Sequence, residues 1–320
     1  MASTGSTSTT ETTPRLRVAE RIPRSVALAF LKAEPRDNVF LISRILKAGM
    51  DNPRDPTHGI FFGVFDEHQS LRGLCFVGNG GTLVLSVDEP GVAELFARTL
   101  AERGRRFTLA VGPDEALRLF MKVYCHGLGV KPVLDRRQPF YVLEKRHLAK
   151  GVKEIDMEQA SLDSIDELTV LACDMVCEDL KLDPVEVDRR KYRLRMTERI
   201  VDGRAYMCRD EKGRAIFKCD LAVCGPEGAL LKGVFTPRDL RGQGNATRAI
   251  WTLCKDLLSD DKTDDGKLVR EAVPFVALHV DEKNKAARRA YEKVGFQHAC
   301  DFRLVLMPQV EPAKQPITAR

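Results

Sequence analysis

Hydrophobic positions along the chain switch repeatedly between helical and strand spacing. Ser25–Lys32 and Asn38–Lys47 have one apolar face each, through Val26, Leu28, Ala29 and Leu31 and through Val39, Leu41, Ile42 and Ile45. Pro35 breaks the chain between them. Strand-like runs follow at Ile60–Phe65, Leu71–Val77 and Thr82–Val87. A helix then fits Val92–Arg103, a strand Phe107–Val111, a helix Glu115–Tyr124, and two strands lie near Val133 and at Phe140–Leu143.

The second half runs through the same order. Helices fit Leu162–Leu180 and Val185–Val201, and strands fit Ala205–Arg209, Ala215–Val223 and Leu230–Phe235. A helix at Asn245–Leu258, a strand at Phe275–Val280, a helix at Asn284–Val294 and strands near Phe296–Cys300 and Phe302–Leu306 complete it. A repeat of this length predicts two copies of one α/β (α+β) fold, at 16–148 and 149–310, with the seam in the charged stretch Lys145–Val152. The Ser/Thr-rich residues 1–15 and the last ten, 311–320, read as disordered tails.

The copies differ most after their third strand. In the second, the run ending at Phe235 leads through a polar turn to Arg241-Gly242-Gln243-Gly244-Asn245-Ala246 and then to an amphipathic helix. The first amides of a helix have no intrahelical partner, and its start carries about half a positive charge. Glycines there let backbone N–H groups close around an anion, with Arg241 beside them as a fixed charge. The first copy has Asp88-Glu89-Pro90-Gly91 at the equivalent place, with two carboxylates and no arginine. It is expected to keep the fold without the anion site.

Arg241-x-x-Gly244-x-Ala246 resembles the R-x-x-G-x-G/A motif of the GNAT acyltransferase superfamily. Downstream, Leu278-x-Val280 followed by Asn284, Ala287, Tyr291, Gly295 and Phe296 resembles that superfamily's strand–helix signature. Asn38-Val39-Phe40-Leu41 adds a weaker likeness to bacterial two-domain acetyltransferases whose N-terminal GNAT-like domain is degenerate. The resemblance implies tandem acyl-CoA N-acyltransferase folds, each a mixed, mostly antiparallel sheet flanked by helices.

It also implies an activity: transfer of an acetyl group from acetyl-CoA to a primary amine by direct attack in a ternary complex. The pyrophosphate would rest on Arg241, Gly242, Gln243, Gly244, Asn245, Ala246 and Thr247. The pantetheine would pair with the backbone of Val234, Phe235 and Thr236, and Asn284 and Ala287 would contact the same ligand. Tyr291 occupies the family's general-acid position; a phenol with a pKa near ~10 is protonated at neutral pH and can donate. The strand Leu230–Phe235 carries no carboxylate, so the base candidates are Asp220 and Glu178, or water. Alternation on the strand Ala215–Val223 also allows Lys218 and Asp220 to be an ion pair. His279 is assigned no role and Trp251 a packing role.

Composition sets limits on partners. The 320 residues are 43% hydrophobic and 30% charged with a net charge of +5, which permits an anionic ligand without indicating nucleic acid. Nine scattered cysteines lack the spacing of a metal or redox site and suit reduced thiols in the cytoplasm. No apolar run approaches the ~18 residues of a membrane span. The expected partner is an amine-bearing acceptor, a small molecule or a protein lysine or N-terminus; a homodimer is allowed and no metal is expected. A non-enzymatic acyl-CoA-binding or sensor protein is the competing reading.

Overall fold

A computed structural model describes residues 16–50, 58–263 and 267–308. Both tails expected to be disordered lie outside the described residues. The chain opens with β1 (Arg17–Ala19), α1 (Arg24–Ala33) and α2 (Val39–Ala48). Asn38 fixes the corner between the helices, its amide donating to the carbonyls of Leu31 and Glu34 at 3.2 and 3.0 Å. The antiparallel strands β2 (Gly59–Phe65), β3 (Leu71–Gly78) and β4 (Thr82–Val87) follow. Then come α3 (Val92–Glu102), β5 (Leu109–Pro113), α4 (Asp114–Leu128) and β6 (Leu134–Leu143).

After the short strand β7 (Glu158–Gln159) the order repeats. It runs α5 (Ile165–Leu180), α6 (Arg189–Val201), β8 (Ala205–Arg209), β9 (Ala215–Gly225), β10 (Gly228–Phe235) and α7 (Asn245–Leu257). A small hairpin of β11 (Asp261–Lys262) and β12 (Leu268–Arg270) precedes β13 (Val276–His279), α8 (Lys285–Val294) and β14 (Gln297–Leu306). The long expected helices at 162–180 and 185–201 each begin later, after a 3-10 turn. Asp188 stops the second turn and starts α6, its carboxylate accepting from the N–H groups of Arg190 and Lys191 at 3.0 and 3.2 Å.

Twelve strands form one sheet in the order β1-β2-β3-β4-β5-β14-β6-β13-β10-β9-β8-β7. Among the described residues only β4–β5 and β10–β13 are parallel pairs. The two halves exchange their last strands. β14 lies between β5 and β6, running from Phe302↔Pro113 to Leu306↔Leu109 on one edge and from Gln297↔Val142 to Leu306↔Leu134 on the other. β6 in turn pairs with β13 from Val276↔Leu143 to His279↔Phe140. Each half would otherwise leave a strand edge unpaired at its centre.

The four short strands expected near Val133, Phe140–Leu143, Phe296–Cys300 and Phe302–Leu306 are therefore two long ones. Pro139 sits inside β6. Its carbonyl accepts from Val280 N–H at 3.1 Å, so its nitrogen also faces that flank, just past β13, and the ladder with β14 on the other flank is intact. The stretch expected as a seam is also anchored: Ala149 N–H donates to Val294 at 2.9 Å, and the Trp251 indole donates to the Ala149 carbonyl at 2.7 Å.

Helices cover both faces of the sheet. α3 and α4 bury Phe96, Leu100, Phe120 and Tyr124 on one side of the first half, and α1 and α2 bury Leu31, Leu41 and Ile45 on the other. In the second half, α7 and α8 cover one face through Ile250, Leu253, Tyr291 and Val294, and α5 and α6 cover the other through Leu168, Met196 and Ile200. α2 reaches across the join, placing Val39 against Phe140, Leu230 and Phe302. Among the described residues no helix is long and apolar enough to cross a membrane.

Candidate functional site

The site forms where β10 and β13 stop pairing. Their parallel register ends at Leu231↔Leu278, while β10 runs on to Phe235. A register shift between Lys232 and Phe235 bends the strand, with Gly233 at φ +60°. A Cβ at Gly233 would lie 2.3 Å from an Asp220 carboxylate oxygen, so only glycine fits. Beyond this point Val234, Phe235 and Thr236 have β9 on one side and a cleft of about 1140 Å³ on the other. The backbone there is open to an extended ligand, although the Thr236 carbonyl already accepts from Arg241 at 2.9 Å.

The glycine turn lies at one end of the cleft. Gly242 and Gly244 take left-handed conformations, φ +77° and +80°, and open space faces the position of each absent Cβ. The N–H groups of Gly242, Gln243 and Gly244 meet no acceptor among the described residues. The first bond into α7 runs from Arg248 N–H to the Gly244 carbonyl at 3.0 Å, which leaves the Asn245, Ala246 and Thr247 amides unpaired as well. α7 has no side-chain N-cap. Such a row of free donors at a helix start fits a phosphate or pyrophosphate. Gln243 is exposed and, alone among 241–247, does not line the cleft.

Tyr291, Ala287 and Asn284 line the same cleft from α8 and its start. Asn284 caps that helix, its side-chain oxygen accepting from Ala287 N–H at 3.0 Å, so only its amide nitrogen is left for a ligand. Tyr291 is buried with the α7–α8 core, and burial raises its phenol well above the ordinary tyrosine value. Its hydroxyl has no hydrogen-bond partner among the described residues and is therefore free to donate into the cleft.

The two carboxylates considered as bases are both committed elsewhere. Glu178, on α5, accepts from Arg238 and Arg241 at 2.8 Å each. Burial opposes its ionisation, but the two guanidiniums outweigh burial and hold it below the usual carboxyl range. Asp220 corrects the expectation more strongly: it is fully buried and does not line the cleft. Its Oδ2 is shared by Arg199 and by the Lys218 ammonium, at 3.1 Å from the latter, and Lys218 also donates to the Gly233 carbonyl at 2.8 Å. The pair predicted as an alternative is thus the observed arrangement, and it pins the bend of β10.

Sequence reasoning missed two residues at the same level. Lys232 and His279 are the first residues of β10 and β13 past the last parallel pair, and both line the cleft. The His279 ring packs against Phe140 and Phe302, centroids 4.7 and 4.8 Å away, and burial lowers its pKa to about 4. Lys232 was legible only as a lone cation in the apolar run Leu230–Phe235. The first half lacks this arrangement: Asp88 and Glu89 are both paired with Arg72, at 2.9 Å for Glu89.

These features define the GNAT acyltransferase fold in tandem, a mixed, mostly antiparallel sheet flanked by helices, with β10 and β13 parting over a cleft. Among solved structures, the chain is similar to a tandem GNAT protein from the clavulanic acid biosynthesis pathway, determined without AcCoA. That likeness has 16% identity and a TM-score of 0.54 over 93% of this chain and 100% of the other. It is also similar to a GCN5-related N-acetyltransferase from Sphaerobacter thermophilus, with 12% identity and a TM-score of 0.55 over 94% and 98% of the two chains. A Drosophila protein matches with 13% identity and a TM-score of 0.57 over 91% and 98%. No protein-family model matches the chain, and the search of curated proteins returned no match. At these identities the likeness establishes the fold.

Proposed function

We propose that the chain is an N-acetyltransferase that moves an acetyl group from acetyl-CoA to a primary amine by direct attack in a ternary complex. The observation carrying this reading is the row of unpaired amides from Gly242 to Thr247, in the same cleft as an unpartnered Tyr291 hydroxyl. Acetyl-CoA would supply the activated acyl group and an anionic pyrophosphate. Arg241, Gly242, Gln243, Gly244, Asn245, Ala246 and Thr247 would hold the pyrophosphate. Val234, Phe235 and Thr236 would align the pantetheine along the open edge of β10, with Asn284 and Ala287 opposite.

Tyr291 would donate its proton to the departing sulfur, which its raised pKa suits by keeping it protonated. With Glu178 and Asp220 engaged in ion pairs, deprotonation of the incoming ammonium falls to water in the open cleft. Residues 149–310 would then form the catalytic domain. Residues 16–148 would contribute β6 and the cleft walls at Val39, Phe40, Val84 and Val111. Nine free cysteines fit a reducing compartment such as the cytoplasm.

A sensor that only binds acyl-CoA needs the cradle but not a free phenol over the parted strands. Calorimetry with acetyl-CoA, followed by a mass-spectrometric screen of amine acceptors, tests the proposal. Absence of acetyl-CoA binding would refute it, and binding without turnover of any amine would favour the sensor.

A further inference from the structure

Lys232 occupies a place that none of the foregoing uses. Leu231 and Leu278, the last parallel pair, pack with Tyr291 in the core beneath α7 and α8. The next residue on each strand, Lys232 and His279, faces the opposite side of the sheet, where His279 meets Phe140 and Phe302. Lys232 and Tyr291 therefore flank the parting from its two faces. A thioester laid through the parting has a phenol on one side and a primary amine on the other.

The surroundings of Lys232 keep that amine from being tied up. Asp220 lies directly opposite in register, yet it is fully buried and its Oδ2 is engaged by Arg199 and Lys218. Lys232 itself has no ion pair among the described residues. Lys232 is an exposed residue that lines the cleft, with surrounding protein crowding its ammonium. That crowding first, and then the charge of Arg199, lower its pKa to about 7, with Arg204 and Lys218 acting in the same direction and Asp220 against them. A large share is therefore neutral and nucleophilic near physiological pH.

We infer that Lys232 is a self-acylation site, taking the acetyl group from acetyl-CoA bound in the cleft when no acceptor is present. This rests on the acetyl-CoA reading above. The Nζ lone pair attacks the thioester carbonyl carbon, so a C–N bond forms as the C–S bond breaks. The departing sulfur takes the phenolic proton of Tyr291, and the proton shed by nitrogen passes through water to restore the phenol. The products are Nε-acetyl-Lys232 and the free thiol of CoA. The amide is neutral, so the modification removes a positive charge from the acceptor side of the cleft.

The test uses the full chain and acetyl-CoA without an acceptor, with peptide mapping by mass spectrometry over time. Lys232 should gain an acetyl group at least about tenfold faster than the exposed Lys212, which serves as an internal baseline. Lys232→Arg should abolish labelling at that position, and Arg241→Ala should slow it at subsaturating acetyl-CoA without changing Lys212. Acetyl-CoA binding by calorimetry with Lys232 labelled no faster than Lys212 would overturn the inference and leave the acetyl-CoA reading standing. Labelling of Lys232 that ignores Arg241→Ala would also overturn it, because the acetyl group would then come from solution. No acetyl-CoA binding would overturn both.

Discussion

Glu178 accepts a hydrogen bond from Arg241 at 2.8 Å, so the arginine beside the glycine turn is held by a carboxylate from α5. The guanidinium also lies over the Phe235 ring, 5.5 Å from its centroid, and bonds the Thr236 carbonyl. Three contacts orient one charge toward the start of α7.

That arrangement separates two roles by substitution. Arg241→Ala should weaken acetyl-CoA binding by about 1–3 kcal/mol, the range for a lost charge-assisted hydrogen bond. Glu178→Gln keeps a hydrogen-bond acceptor and should alter affinity far less. It should also leave the pH profile of acetyl transfer unchanged. A general base would instead lose rate most at low pH and recover as free amine accumulates, and that pattern in the Gln variant would return Glu178 to the chemistry.

Tyr291→Phe removes only the hydroxyl, which bonds nothing among the described residues, so the melting temperature should stay within about 2 °C. Transfer should slow by about 10²–10⁴-fold in kcat while acetyl-CoA affinity stays within about threefold. Steady-state kinetics beside calorimetry reads both. A normal kcat would make Tyr291 a packing residue and leave protonation of the sulfur to water.

The glycine turn before α7 was legible as a local signal at a strand–helix junction, and Tyr291 was singled out by the resemblance of Asn284–Phe296 to a family signature. The repeat of element order was equally plain from apolar periodicity. The exchange of β6 and β14 was not, because a strand pair between the two halves of the chain, such as Arg137↔Arg303, leaves no local trace. Asp220 shows a similar limit. Alternation placed it beside Lys218, but only the bend at Gly233 and the reach of Arg199 show that the carboxylate is buried beneath the cleft rather than in it.

His279 gives the acid side of the stability curve a specific contributor. Its folded pKa, about 4, lies below the ordinary 6.5, because burial disfavours the charged ring. As pH falls from 6.5 the unfolded chain binds this proton first, so stability declines through the interval down to about 4 and then levels for this group. The loss is up to about 3 kcal/mol. His279→Phe, seated between Phe140 and Phe302, should remove that component. Melting temperatures of both proteins across the interval should converge near neutral pH and separate toward pH 4, and parallel curves would contradict the assignment.

The exchanged strands predict how the chain comes apart. β14 completes the ladder of the first half between β5 and β6, and β6 supplies the partner of β13 in the second. β6 also buries Tyr141 and Leu143 in the α7–α8 core and Phe140 and Val142 against the opposite face. A chain ending at 148 loses the strand that pairs with β5. One beginning at 149 loses four apolar side chains from two cores and exposes both β13 and β14 edges. Removing a large buried side chain typically costs about 2–5 kcal/mol, which approaches the whole stability of a domain when several go together. Each half expressed alone should therefore show no cooperative melting and no acetyl-CoA binding. Co-expressed as two chains, the halves should elute as a one-to-one complex that binds acetyl-CoA. A second half that melts cooperatively and binds acetyl-CoA on its own would show that β6 is dispensable and that the exchange joins two independently stable units.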